Sequence, residues 1–442
     1  MNLNKTIFAC NKCGAQFPKW LGRCSDCGAW GTVSESAPET KTLTTKVKID
    51  TSEIVDFNHL SEINKTLPTR ISELDRVLGA GIVPGSLILL GGEPGVGKST
   101  LVLQIAAQIQ DTLYISGEES AQQIKSRLSR LKINLDNLKF LAENHIEKIC
   151  SFIIELKPQL VIIDSIQTMY SQEAPSEPGS VTQVRIATVR LLETAKKYNV
   201  PIIIIGHITK DGQVAGPKSM EHLVDTVLYL ESSKNGQYRI LRSVKNRFGS
   251  TNEIGIFDMT ADGLKEILNP SELFLPENQL VIAGSALTCV MEGTRPFLIE
   301  IQSLVSKTLF GYPQRKAAGF DLNRLQMLIA VLIKRADIPL LNQDIHLNIT
   351  GGLKVTETAT DLAVCLSIIS SLKDKPIAHD TLILGEIGLG GEIRPVAQTE
   401  KRLKEAQKLN FKKIILPQIK NSKPAADLIF VSDINQAIKT IF

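Results

Sequence analysis

The run GGEPGVGKST, Gly91 to Thr100, limits what this chain can fold into more than any other stretch. It contains Gly92-x4-Gly97-Lys98-Ser99. The apolar run SLILL precedes it, and the amphipathic stretch KSTLVLQIAAQI follows. A strand, a glycine-rich turn and a helix in that order make a phosphate loop. The glycines let backbone N–H groups turn inward around an anion, and the helix N-terminus adds partial positive charge. The expected cradle for ATP or GTP phosphates is therefore Gly92, Glu93, Pro94, Gly95, Val96, Gly97, Lys98, Ser99 and Thr100. Lys98 would face the outer phosphates, and the Ser99 hydroxyl would face Mg²⁺. A chance glycine-rich turn would not predict both flanking elements.

Such a loop needs a covered sheet. TLYIS, LVIID and PIIIIG are further short, β-branched apolar runs, separated by helical stretches such as VTQVRIATVRLLETAKKY. This alternation predicts an α/β core over residues 61–270, with a parallel sheet covered on both faces. At 442 residues the chain has room for two or three domains. Residues 1–35 form a cysteine block, 36–60 read as a polar linker, and 275–442 mix strands and helices as a third block after the proline-marked LNPSELFLP. A net charge of +4 is too mild to argue for nucleic acid by itself. No apolar run is long enough for a membrane span, and MNLNKTIFAC lacks the apolar core of a secretion signal, so a cytoplasmic protein is expected.

Cys10, Cys13, Cys24 and Cys27 follow C-x2-C-x10-C-x2-C, a spacing that suits four thiolates around one structural zinc ion. Two disulfides or redox pairs are the alternative, which a reducing compartment disfavours. Trp20 and Trp30 are expected to pack the knuckle, and Lys12, Lys19 and Arg23 could touch phosphate. Cys150, Cys289 and Cys365 read as core residues.

Asp164 ends the strand LVIID, where a carboxylate can hold Mg²⁺ through water. Glu118, after TLYIS, is the expected base for the attacking water; Glu119 reads as an acid at a helix N-terminus. His207 ends PIIIIG and would either sense the γ-phosphate or sit in the core with its ring satisfied by backbone. Two loops leave these strand ends. QTMYSQEAPSEPGS and TKDGQVAGPK, the latter carrying Lys210 and Lys218, are expected to be flexible and to grip a polymer. In SVKNRFGS, Lys245 and Arg247 flank Asn246 at the end of the alternating run YRILR, which poses the question of what two cations do at a strand end.

In this order, the zinc knuckle, GGEPGVGKST, YISGEES, LVIIDSIQT and KNRFG resemble the RadA/Sms family of bacterial recombination and repair ATPases over nearly the whole chain. The resemblance implies a RecA-type core, DNA-stimulated ATP hydrolysis and loading onto single-stranded DNA at branched recombination intermediates. It also implies branch migration by a ring, a homo-hexamer, with the RecA recombinase as partner. Lys245 and Arg247 would then act across the seam on a neighbour's phosphates, or contact DNA. The last block resembles the proteolytic domain of Lon, an α+β fold, but without its catalytic Ser-Lys pair. Ala359 stands where the serine would be and Glu400 where the lysine would be. Lys401 is displaced by one residue, roughly 100° around a helix. Lys307, Arg315, Lys316 and Arg324 are the expected lining of a DNA path. An ATP-gated DNA-binding scaffold and an ATP-dependent protease are the competing functions, the second disfavoured by the missing serine.

Overall fold

The computed structural model describes residues 7–10, 16–17, 19–25, 27–36, 66–132, 138–207, 220–233, 238–269, 271, 281–309, 311–352, 354–419 and 427–442. The expected linker, apart from Ser36, lies outside them. Among the described residues no helix is long and apolar enough to cross a membrane. The chain divides into two units, Met1–Ile63 and Asn64–Phe442.

In the first unit β1 (Ile7–Cys10) pairs antiparallel with β2 (Gln16–Phe17) and with β3 (Val33–Ser36). Its core is Cys10, Cys24 and Val33, with Phe8 and Phe17 packed against them. The tryptophans do not fill it: Trp20 is 60% exposed and Trp30 75%. Trp20 instead donates its indole N–H to the Val33 carbonyl at 2.9 Å, and Trp30 carries the Arg23 guanidinium 5.6 Å from its ring centre. The apolar surface buried among the described residues of this unit is too small to hold a fold by itself.

The second unit is built around β4 (Leu87–Gly92). Its neighbours in the nine-stranded sheet are β5 (Thr112–Ser116), β6 (Leu138–Ala142), β7 (Leu160–Asp164), β8 (Ile202–His207), β9 (Thr226–Ser232), β10 (Tyr238–Asn246), β11 (Ile254–Thr260) and β12 (Gly263–Glu266). The spatial order is β12-β11-β10-β9-β4-β8-β7-β5-β6. From β6 to β9 the strands are parallel, and from β9 to β12 antiparallel. The parallel strands are near-continuous apolar runs because helices cover both faces. Ile88 and Leu90 face α1 (Ser72–Leu78), α2 (Lys98–Gln108) and α3 (Ala121–Arg130); Leu87 and Leu89 face α4 (Ile146–Leu156) and α5 (Val181–Tyr198). The chain marks its own helix ends. Ser120 and Gln123 close a capping box on α3, and Ser180 caps α5, which stops where Asn199 turns left-handed.

The C-terminal part carries a seven-stranded sheet, β15-β16-β14-β13-β17-β20-β21. Its centre is the hairpin β13 (Ser285–Glu292) and β14 (Arg295–Lys307), flanked by β15 (Arg315–Ala318), β16 (Gln343–Ile349) and β17 (Thr381–Ile383); β18 (Glu386–Ile387) and β19 (Ile393–Arg394) pair apart from it, and β20 (Lys413–Leu416) and β21 (Leu428–Phe430) complete one edge. The helices α6 (Leu322–Ala336) and α7 (Asp361–Lys373) bury one side of it. The β13–β14 turn is locked to the nine-stranded sheet. Arg295 donates to the Glu73 carboxylate and to the Leu268 carbonyl, both at 2.5 Å, and Glu73 also accepts from the Ile256 N–H at 2.9 Å. Glu73 is wholly buried, and burial pulls the Arg295 pKa down against the pull of Glu73. Gly293 has φ +64 and its backbone meets Asn252, leaving a Cβ only 1.8 Å from the Asn252 oxygen.

Removing one partner of a buried pair strands the other charge. Glu73 keeps a second, more exposed partner in Arg76 at 3.2 Å, so Arg295→Ala should cost about 3 kcal/mol in urea unfolding, the low end for breaking a buried pair, while the paired change Glu73→Gln with Arg295→Met should recover most of it.

Candidate nucleotide site and metal centre

β4, a central strand, ends at Gly92 on the C-terminal rim of the parallel strands, and the chain turns into α2 at Lys98. Gly95 adopts φ +77, and nothing lies within 4 Å of where its Cβ would be, so the mouth of the loop is open to a phosphate. Lys98 is 4% exposed; its ammonium donates to the carbonyls of Gly92 (2.9 Å) and Glu93 (3.0 Å). Burial lowers its pKa, and the charges of Asp164 and Glu118 oppose that shift. These groups therefore converge on one place, and a triphosphate there would supply the negative charge that a buried lysine requires.

Asp164 sits at the end of β7, two strands from β4 with β8 between them. It is buried and accepts a 2.6 Å hydrogen bond from the Tyr114 hydroxyl. Burial, then the Asp164 charge, push the Tyr114 phenol well above its usual pKa, so it remains a donor. Glu118 accepts from the Ser165 hydroxyl at 2.6 Å. Glu119 immediately precedes the cap residue Ser120 at the N-terminus of α3, and it also pairs with Arg127. Burial raises the Glu119 pKa and Arg127 opposes the rise. The ladder sets His207 directly beside Gly92; the His207 side chain lies outside the description. Two further residues belong to this neighbourhood and were not singled out from sequence: Tyr114, and Arg239, whose Nε donates to the Val96 carbonyl at 2.9 Å. Arg239 stands in the alternating run YRILR, but its partner is 143 residues away.

The loop carrying Lys210 and Lys218 lies outside the described residues. The other expected flexible loop, after Asp164, is organised instead. The buried Gln183 amide accepts from the Ser171 N–H (2.7 Å) and donates to the carbonyls of Ser171, Ala174 and Ser176 at 2.9–3.0 Å. Glu147 and Arg190 hold Ser171 and Glu173.

Lys245 and Arg247 lie at the other end of the sheet from the phosphate loop of their own chain. Lys245 pairs with Val227, and Val227 with Leu89, three residues before Gly92. At roughly 3.3 Å per residue along a strand and 4.8 Å between strands, that is about 10 Å along and two strands across. The register shifts between Ser243 and Lys245, a bulge that re-aims the strand end. Lys245 donates to the Glu221 carbonyl at 2.7 Å, and Arg247 pairs with the buried Asp225 at 3.0 Å. Burial, then the neighbouring Arg247 charge, lower the Lys245 pKa. Asn246 binds the Leu78 carbonyl at the end of α1 (3.2 Å) and accepts from the Phe248 N–H (3.0 Å), which shapes the turn.

In the first unit the sulfurs of Cys10, Cys24 and Cys27 lie within 4.8 Å of one another, and Cys10 and Cys27 are 3.7 Å apart. That is far beyond a disulfide bond. It matches the edge of a tetrahedron with metal–sulfur bonds of about 2.3 Å. Cys13, the fourth expected ligand, lies outside the described residues. Arg23 stacks on Trp30 and donates to the Gly28 carbonyl, and Lys19 is exposed; Lys12 is not described.

The Lon-like region holds no nucleophile and base at the matched positions. Ala359 is buried, and Lys401 reaches the Thr294 carbonyl at 3.4 Å. Thr358 donates to Glu386 (2.6 Å) and Thr360 to the Glu357 carbonyl (3.0 Å). A wholly buried Arg402 pairs with Glu357. Of the four expected DNA-lining cations, Arg324 pairs with the buried Asp361, and Arg315 donates to the carbonyls of Leu340 and Gln343. Both are bound within the fold; Lys307 and Lys316 are exposed.

A phosphate loop, a strand-end carboxylate two strands away and an intervening strand define a RecA-type P-loop ATPase, here with an N-terminal zinc ribbon and a Lon-like C-terminal α+β domain. Family models agree: "AAA domain" matches residues 51–213, "Rubredoxin metal binding domain" residues 8–35 and "Subunit ChlI of Mg-chelatase" residues 318–420. The DNA repair protein RadA of Bacillus subtilis (strain 168) is 47% identical, covering 100% of this chain and 99% of that protein. RadA of Listeria monocytogenes is 47% identical, covering 93% of this chain and 92% of that protein; RadA of Pseudomonas aeruginosa is 44% identical over 99% of each. A crystal structure of the RadB recombinase aligns at a TM-score of 0.37 and 22% identity, covering 46% of this chain and all of that one. The chain belongs to the RadA family of DNA repair proteins. It is an ATP hydrolase that uses ATP with Mg²⁺, and it carries a structural zinc centre.

Metal analysis of the purified chain should find one zinc per chain. Cys24→Ala should lose it, because that thiol is buried in the cluster and has no substitute ligand among the described residues.

Proposed function

We propose that this DNA repair ATPase works as a homo-oligomeric ring, a hexamer, on single-stranded DNA in the cytoplasm, and that it drives branch migration of recombination intermediates with the RecA recombinase. In this reading residues 61–270 hydrolyse ATP, 275–442 form an assembly platform, and 1–35 form the zinc domain, joined through a linker at 36–60. Gly92 to Thr100 cradle the phosphates, with Lys98 neutralising the outer two. Bound Mg²⁺ would draw charge from the phosphate oxygens, held by Ser99 and, through water, by Asp164. Glu118, oriented by Ser165, accepts the proton of the attacking water, and His207 senses the γ-phosphate.

The observation that carries this reading is the separation of Lys245 and Arg247 from the phosphate loop of their own chain. Two cations at that end of the sheet serve a triphosphate only if it belongs to a neighbour. Such a group, supplied in trans, is worth about 10³–10⁵ in rate.

Lys98→Ala should abolish turnover. When Arg247→Ala subunits are mixed into wild-type protein with single-stranded DNA present, the ATPase rate should fall faster than in proportion to the added fraction. Simple proportional dilution would count against action across the seam and leave DNA contact as the role of these cations. Unwinding sustained by a non-hydrolysable analogue would remove the motor.

A further inference from the structure

The turn that ends in Asp225 touches the start of β4 and both cations, and it reaches the other end of β4 through Tyr229. Asp225 is buried; one carboxylate oxygen accepts from the Leu87 N–H at the start of β4 (3.1 Å), and the other pairs with Arg247 (3.0 Å) and Lys196 (3.6 Å). At the other end of β4, Gly91 pairs with Tyr229 in the β4–β9 ladder. The Tyr229 ring lies against the Gly91 backbone, where a Cβ would come within 2.7 Å of its edge carbon. The Tyr229 hydroxyl donates to the Glu221 carboxylate at 3.0 Å. The carbonyl of that same Glu221 accepts from the Lys245 ammonium at 2.7 Å. Each link is a direct contact, so the chain runs without a gap from the residue preceding the phosphate loop to the cation.

We infer that Tyr229 and Glu221 are positioning residues that tie the setting of Lys245 to the phosphate loop of the same chain. The inference rests on the proposed role of Lys245 towards a neighbour's nucleotide. Under it, a shift of the Gly91–Gly92 backbone moves the Tyr229 ring, the ring draws on the Glu221 carboxylate, and the Glu221 carbonyl resets the lysine. A protomer's own phosphate site then sets the cation it offers next door. Packing alone does not call for the hydroxyl. Tyr229 is half-buried, and a phenyl ring would cover Gly91 equally well.

The test is a double-mutant cycle on the full-length protein. Tyr229→Phe keeps the ring and deletes the hydroxyl. It should lower kcat with oligo(dT) about tenfold, the worth of roughly one charge-assisted hydrogen bond, and leave KM for ATP and the unfolding temperature unchanged. Glu221→Gln, which still accepts from the phenol, should retain most activity; Glu221→Ala should behave as Tyr229→Phe does. Adding Tyr229→Phe to Lys245→Ala should cost nothing further. If Lys245→Ala is impaired while Tyr229→Phe is normal, or if the two losses add, the relay is overturned and the cation's role stands. If Lys245→Ala turns over normally with DNA, the proposed role of the lysine fails and the relay fails with it.

Discussion

The ladder of β4 is the constraint from which the rest of the catalytic part follows. A strand buried on both faces has no freedom to slip, because a one-residue shift would send every side chain to the wrong layer. With β4 held, Gly92 arrives at the C-terminal rim of the strands beside His207, and the turn into α2 brings Lys98 back over the loop carbonyls. One strand further, β7 ends at Asp164, and β5 leads into Glu118. No single contact in this set is strong. Their common geometry comes from parallel strands, which end in register and so present their C-terminal residues along one rim.

The C-terminal domain shows how a fold survives the loss of its resembled chemistry. Where Lon has a serine and a lysine, the chain has Ala359 and Glu400, and the two nearby threonine hydroxyls already have acceptors. The interior there is polar, but it is satisfied: Arg402 binds Glu357 and the carbonyls of Ala397 and Cys289. A buried arginine with its partners in place helps hold the domain together, at a place where the positions matched to the Lon pair carry Ala359 and Glu400. The same economy of partners joins this domain to the ATPase sheet. Arg295 binds Glu73 of α1 and the Leu268 carbonyl, and Asn246 grips the far end of α1, so one short helix touches both the domain junction and the turn that bears the cations.

Much of the site was legible before any fold was known. Gly92 to Ser99, Asp164 and Glu118 sit at the ends of apolar runs, and chemistry at the end of a buried strand leaves a sequence signature because the run itself is visible. The cysteine spacing was readable for a similar reason, since a metal site made of two short turns is largely local. What escaped was long-range or depended on register. Tyr114 looks like any aromatic in a strand until Asp164, 50 residues later, lies beside it. QTMYSQEAPSEPGS reads as a free loop because its restraint is a glutamine in the following helix. Trp20 and Trp30 read as core by residue type, whereas the smaller phenylalanines take the inside.

By itself, the sequence determined which chemistry the chain could perform: a phosphate cradle, a carboxylate pair, a thiolate metal site and a Lon-like domain without its nucleophile. Each depends on residue type and short spacing, and the chain states these directly. The tertiary structure alone decided where that chemistry is aimed. The bulge between Ser243 and Lys245 turns the strand end, the antiparallel run of β10 carries it away from its own phosphate loop, and the turn ending in Asp225 receives both cations. Strand direction and register come from pairings between residues far apart in the chain, and no local pattern encodes them.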